Sequence, residues 1–305
     1  LELDHDAKID AFLAEHGMSD CGFLCTPLSS TNAPLNSYPQ PDTLSDKRAI
    51  AAHCGMHSYD ELIHKCREAI GFFGYLSCWA RPDIRQATYY LARFQARPTT
   101  PVWKACKRVM RYLRGNSIPL TFGTRAIAHE SPLVGFVDSD YDVYSTSGLA
   151  FFVYGCPVLL DSSKQRTVAH STTEAELIAA DRAARANNYL RRLLIFDFGI
   201  KNLPITPIYE DNQGCVHISR GGGSFRKLRH IRVAESYVYH CSIIDPSLSL
   251  QYIRSRDNVA DIFTKACDPD TFHTLRSYLM GNTSYCLTYH QLDSSRLHDS
   301  PHKNV

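Results

Sequence analysis

The sequence predicts an α/β fold, a mixed sheet flanked by helices and preceded by a mainly helical segment. Three observations predict it. Apolar residues recur at helical spacing in several stretches of the first 115 residues, and from residue 133 onward short apolar runs separated by turns take over. Beyond that point the order reads three strands, helix, strand, helix, strand and helices, the alternation of an α/β sandwich with a mixed sheet.

Composition narrows the class. With 305 residues, 44% of them hydrophobic, the chain has enough apolar surface for a sizeable core, in two domains or one large one, and is not disordered throughout. Thirty-three basic and thirty-one acidic side chains leave a formal charge of +2, so any basic footprint must be local. Eleven cysteines without regular spacing, and no secretory leader pattern, argue for a reducing compartment rather than a disulfide framework. No stretch reaches the ~20 apolar residues that a membrane-spanning helix needs. Leucine at position 1 points to a fragment or processed piece of something longer.

Taken in order, Ile9, Phe12 and Leu13 mark a short amphipathic helix closed by Gly17. Residues 26 to 59, rich in Pro, Ser, Asn and Asp, read as a long connecting loop, and helices resume near Glu61. Between Val102 and Arg114, Val102, Ala105, Val109 and Leu113 form a core face, while Lys104, Lys107, Arg108, Arg111 and Arg114 form a basic stripe. Such a stripe is either a solvated face or a nucleic-acid contact. Residues 133 to 138, 147 to 155 and 157 to 163 read as three antiparallel strands. A helix over 172 to 198, a strand ending at 206 to 211, a short helix, a strand over 248 to 255 and helices after Asn258 complete the pattern, with a polar, frayed tail over 285 to 305.

Four acids stand at element ends: Asp138 ending the first strand, Glu176 opening the long helix, Asp211 ending the fourth strand and Asp261 opening a late helix. Two Mg²⁺ ions ~4 Å apart, the centre of many phosphodiesterases, need such oxygen ligands on rigid elements. The helix start STTEAEL carries two glutamates that local physics separates. Ser171 and Glu174 have capping-box spacing, which predicts a bond from Glu174 back to the N-cap amide. Glu176 instead shares a phase with Ala179, Ala180, Ala183, Ala186, Leu190, Leu193 and Leu194, the face that meets the sheet, where an acid needs a partner. Each acid also has a purely structural reading: Asp138 as a turn residue, Asp211 as a helix cap, Asp261 as an acid favoured by a helix dipole.

The segments STTEAELIAA (171 to 180), YEDNQG (209 to 214), RHI (229 to 231) and NVADIFTK (258 to 265) resemble the ribonuclease H domain of copia-type retrotransposons. GFVDSD (135 to 140), STSGLAFF (145 to 152) and SSKQRTVAHS (162 to 171) match the same family in the same order. Upstream, AKIDAFLAEHGMSDCGFLCTPL (7 to 28), ARPDI (80 to 84), LARF (91 to 94) and VWKACKRVMRYLRG (102 to 115) resemble the end of its reverse transcriptase. The resemblance implies a ribonuclease H-like five-stranded mixed sheet over 126 to 284, behind a reverse-transcriptase thumb or connection remnant over 1 to 125. It implies a C-terminal part of a Pol polyprotein that cuts the RNA strand of RNA:DNA hybrids. Asp138, Glu176, Asp211 and Asp261 are then both catalytic residues and ligands of two Mg²⁺, with Mn²⁺ able to substitute.

The implied partners are the hybrid and the upstream reverse-transcriptase domain, with no membrane. The implied location is intracellular: cytoplasmic in a virus-like particle, or nuclear. Lys104, Lys107, Arg108 and Arg111, with Arg226, Lys227, Arg229 and His230 beside a glycine run, are the candidate phosphate contacts. No Tyr-x-Asp-Asp polymerase motif occurs in the chain, so this piece is not expected to polymerise DNA. The hairpin after Asp138, SDYDVY (139 to 144), is shorter than the family's usual one. The competing expectation is therefore a catalytically impaired remnant or domesticated protein that binds nucleic acid without cleaving it.

Overall fold

The computed structural model describes residues 1–31, 34–123, 131–221 and 237–281. The chain opens with β1 (Glu2–Leu3) and α1 (Asp6–Glu15), whose Ile9, Phe12 and Leu13 are buried as the helical spacing predicts. The 26–59 stretch is less of a loop than its composition suggests: α2 (Leu44–His53) lies within it. Its start is a reciprocal capping box between Thr43 and Asp46, and the apolar periodicity is faint because Ala51 is its one buried residue. The helical segment continues with α3 (Tyr59–Trp79), α4 (Arg85–Ala92) and α5 (Thr100–Gly115), after which β2 (Leu120–Thr121) pairs with β1 and ties the chain start to the end of α5.

A five-stranded mixed sheet then forms from β3 (Leu133–Ser139), β4 (Thr146–Val153), β5 (Cys156–Lys164), β6 (Thr206–Glu210) and β7 (Leu248–Tyr252), in the spatial order β5-β4-β3-β6-β7. The first three run antiparallel as successive hairpins, and β6 and β7 add in parallel beside β3. The parallel pairings require crossovers, and α6 (Thr172–Arg192) and α7 (Gln213–Ser219) lie along them. The expected helix to residue 198 is cut short, because α6 passes into a single wider turn over Leu193–Asp197. Likewise the residues after Asn258 form a 3₁₀ turn, Val259–Phe263, ahead of the last helix, α8 (Pro269–Leu279).

Alternation along the strands divides the core. Leu133 and Val137 of β3 and Ile208 of β6 pack with α6 and α7 on one face. Val134 and Phe136 face the other way, into an apolar cluster shared with α1, α3, α4, α5 and α8, and Tyr209 packs against it. The helical segment and the sheet therefore bury their apolar surfaces against each other.

Candidate metal centre and groove

The C-terminal ends of the two central strands bring acids together from both faces. Asp138 follows Val134 and Phe136 in the alternation and lies on the helical-segment side; Glu210 follows Ile208 and lies on the α6 side. Asp211 comes immediately after β6. One carboxylate oxygen from each of Asp138, Asp211 and Asp261 falls within 4.8 Å of the others, and the same holds for Glu176, Glu210 and Asp211. All four acids picked from the sequence are thus in one place, with Asp211 common to both groups.

Each acid is held by its local structure. Asp138 pairs with Gly148 across the β3–β4 ladder, and its carboxylate accepts a hydrogen bond from the Thr264 hydroxyl. Asp261 sits on the 259–263 turn, which Asn258 anchors: its Nδ2 donates to Val137 O at 2.8 Å, and its Oδ1 accepts from Ala260 N at 3.1 Å. Gly148 permits the approach, since a Cβ there would stand 2.7 Å from Ala260 O and 2.7 Å from Thr264 Cγ2. The short hairpin after Asp138 closes through Asp140, whose carboxylate accepts from Thr146 N, while Arg93, just past the end of α4, donates to Thr146 Oγ1 at 3.2 Å.

Glu176 is buried on the second turn of α6, and its neighbour Glu174 is explained by capping with one difference from expectation. Ser171 Oγ accepts from Glu174 N at 3.1 Å, but the Glu174 carboxylate accepts from His170 N, at 2.7 Å, not from the N-cap amide. Glu174→Ala should therefore cost on the order of 1 kcal/mol of stability and leave any cleavage intact, whereas Glu176→Ala should abolish it. Melting curves and a cleavage assay on both variants decide this, and equal losses of cleavage would contradict the assignment. Asp211 is not the cap of α7; Asn212 is, accepting from Cys215 N at 3.0 Å, so the structural explanation for Asp211 falls away.

The electrostatics reflect crowded, enclosed acids. Burial, then the charges of Glu210 and Asp138, push Glu176 up to about 12, and burial followed by Asp138 pushes Asp261 to about 8. Asp138 and Glu210 are raised, mainly by burial. Among the described residues one cation pairs with them: Lys265 Nζ lies 2.8 Å from Asp261 Oδ2. Even so, Glu176 Oε2, Glu210 Oε2 and Asp261 Oδ1 are buried without a hydrogen-bond partner among the described residues. Orphaned carboxylate oxygens around an all-oxygen donor set fit a hard divalent cation.

Three contributors escaped the sequence reading. Glu210 carries the signal of an acid at an inward register position. Thr264 orients Asp138 from a distant turn. Gln165 Nε2 bonds Ser139 Oγ at 3.1 Å, Ser147 Oγ at 3.0 Å and Ala175 O at 2.8 Å, pinning the start of α6 to β3 and β4.

Beside the centre runs a groove of about 920 Å³ whose walls include Lys104, Lys107, Arg108 and Arg111 of α5 together with Asp140 and Lys265. The stripe is partly structural: Arg108 donates to Thr26 Oγ1 at 2.8 Å, Arg111 to Gly22 O at 2.7 Å and Arg114 to Ser19 O at 2.7 Å, holding down the 19–26 loop. Arg226, Lys227, Arg229 and His230 lie outside the described residues. No helix among the described residues is long and apolar enough to cross a membrane.

No family model matches the chain. It is 28% identical over 278 residues to the retrovirus-related Pol polyprotein from transposon TNT 1-94 of Nicotiana tabacum, covering 89% of this chain and 20% of that protein. To the polyprotein from transposon RE1 of Arabidopsis thaliana it is 27% identical over 281 residues, 90% of this chain and 19% of that one. The secreted RxLR effector protein 161 of Plasmopara viticola is 40% identical over 123 residues, 38% of this chain and 84% of that protein. Among solved structures, LC11-RNase H1 in complex with an RNA/DNA hybrid aligns with 43% of this chain and 93% of its own, at 14% identity and a TM-score of 0.35. The chain spans about a fifth of the length of the curated polyproteins it matches. Over most of its length the chain is thus similar to part of the retrovirus-related Pol polyproteins of copia-type plant transposons, a likeness that supports a C-terminal region of such a polyprotein.

Proposed function

We propose that this chain is a ribonuclease H, a metal-dependent endonuclease hydrolysing the RNA strand of RNA:DNA hybrids during retrotransposon reverse transcription. The observation that carries the reading is the convergence of Asp138, Glu176, Asp211 and Asp261, from four separate elements, into two oxygen clusters sharing Asp211. These residues would hold two Mg²⁺, or Mn²⁺ in their place. Bound there, such ions supply a hydroxide nucleophile near neutral pH and stabilise the leaving 3′ oxygen.

The chain's own groups do the rest. Thr264 fixes the direction of the Asp138 carboxylate, Gln165 fixes the turn that carries Glu176, and Lys265 offsets charge beside Asp261. The groove lined by Lys104, Lys107, Arg108 and Arg111 leads phosphates toward that centre. In this reading residues 1 to 125 are a remnant of the reverse transcriptase and residues 126 to 284 the nuclease. The partners are the hybrid and the upstream polymerase domain, and the protein works in a cytoplasmic virus-like particle or in the nucleus.

The test is Mg²⁺-dependent cleavage of a labelled hybrid by the purified chain. Hybrid binding without cleavage would favour a non-catalytic remnant or domesticated protein instead. Binding should weaken steeply with salt, and Lys104→Ala with Lys107→Ala should flatten the log-log slope by up to ~1.8, at about 0.9 per B-form phosphate contact and less for a hybrid. A slope unchanged in the double variant would remove α5 from the binding surface.

A further inference from the structure

Glu210 is the last residue of β6, in register with Tyr252 of β7, and its backbone oxygen accepts from Ile253 N at 3.0 Å. The residue is 0% exposed. Its Oε1 accepts from Asn212 N at 3.0 Å, and its Oε2 has no donor among the described residues. Among the described residues no ion pair reaches Glu176, Glu210 or Asp211, the cluster's one bonded cation being Lys265 on Asp261. An enclosed carboxylate with an open lone pair needs a cation or a proton. Glu176 stands in the same condition, its Oε2 also without a donor. Two such groups side by side, with a third carboxylate, Asp211, within 4.8 Å, make an oxygen-lined pocket that no cationic side chain among the described residues pairs with.

We propose that Glu210 is a fifth ligand of the centre, forming with Glu176 and Asp211 a deep subsite for a divalent cation, separate from an outer subsite built by Asp138, Asp211 and Asp261. The inference rests on the metal-dependent reading above and adds to it a residue that the four-acid pattern leaves out. The chemistry of the subsite is that of Mg²⁺ or Mn²⁺: three carboxylate oxygens on a strand end and a helix start, no nitrogen or sulfur donor. Its position explains why a charged residue occupies an inward strand position where an apolar one would pack against Cys215 and Ile208.

Titrating Mn²⁺ into the full chain, by calorimetry and by the electron paramagnetic resonance of free Mn²⁺, tests this without any turnover. The parent should take up two ions. Glu210→Gln, isosteric and uncharged, should weaken one of them at least ~10-fold, on the scale of a lost metal-site residue, and Asp261→Asn should weaken the other. The double variant Glu176→Gln/Glu210→Gln should lose the same single ion as Glu210→Gln. Glu210→Asp, which keeps the charge and retracts the ligand oxygen, should weaken that ion too, so the result does not depend on one variant's folding. Two ions bound at parental affinity in both Glu210 variants would overturn the inference and leave Glu176 and Glu210 sharing a proton. A parent that binds no Mn²⁺ would instead remove the metal-dependent function itself.

Discussion

Asp138→Asn is expected to lower hybrid cleavage by ~10²-fold or more, the scale that a misplaced reacting group already costs, while the melting temperature stays unchanged or rises. The loss follows from position. Asp138 lies within reach of both Asp211 and Asp261, and its oxygen is the one that the Thr264 hydroxyl orients. The amide keeps an oxygen for that hydroxyl but not the charge that holds a cation. Stability should not fall, because Leu133, Val134, Phe136 and Val137 bury the strand regardless of residue 138, and one charge fewer among the clustered acids relieves repulsion. Thr264→Val separates orientation from ligation. It leaves every carboxylate in place and should cost ~10 to 100-fold, the range for groups that steer metal ligands. The measurement is single-turnover cleavage in Mg²⁺ and in Mn²⁺ beside a thermal melt. An Asp138→Asn protein that cuts hybrid as well as its parent in both metals would make Asp138 a turn residue.

The sheet was legible because its signals are local. Each of the five strands is a short apolar run bounded by turn residues, and the small, apolar face of α6 is written in alanines every three to four residues. The four acids were legible for a related reason: element ends are the places where a polar residue is neither needed by the core nor accidental, and Glu176 could be told from Glu174 by phase alone. Glu210, Thr264 and Gln165 were not, since each acquires its meaning from a partner far along the chain, as Gln165 does from Ser139 and Ala175. The direction of Asp138 is a similar case, since the hydroxyl that orients it comes from the 259–264 turn, 126 residues away. Helix α2 was missed because an exposed helix with a single buried alanine leaves almost no apolar pattern, and the wider turn over Leu193–Asp197 follows residues that would continue a helix equally well.

The second large effect belongs to stability and to the motif ARPDI. Asp83 is buried, and its carboxylate accepts from Arg81 Nε at 3.0 Å, from Arg81 Nη2 at 2.8 Å and from the Tyr112 hydroxyl. That hydroxyl accepts in turn from Arg276 Nη1 of α8, at 3.0 Å, and Arg276 also donates to Asn116 Oδ1 at 2.7 Å. One acid therefore anchors two buried guanidinium groups and joins α5 to the last helix of the sheet layer. Although burial pushes Asp83 up, Arg81 and the hydrogen bonds bring its carboxyl below the ordinary value. Its contribution to stability is thus present above the ordinary carboxylate range and is lost as pH falls through the lowered value. Asp83→Ala leaves both arginines uncompensated in the interior, and the expected cost is ~3–5 kcal/mol, the range for breaking one side of a buried pair. Replacing the pair together, Arg81→Met with Asp83→Leu, removes one of the two guanidinium charges along with the acid and should recover part of that loss, Arg276 staying uncompensated. Because Tyr112 and Arg276 link the helical segment to the sheet, the melt of Asp83→Ala followed by far-ultraviolet circular dichroism should coincide with the melt followed by tyrosine fluorescence. A variant that melts at the parental temperature, or a double variant no better than Asp83→Ala, would show that the network does not bind the two layers together.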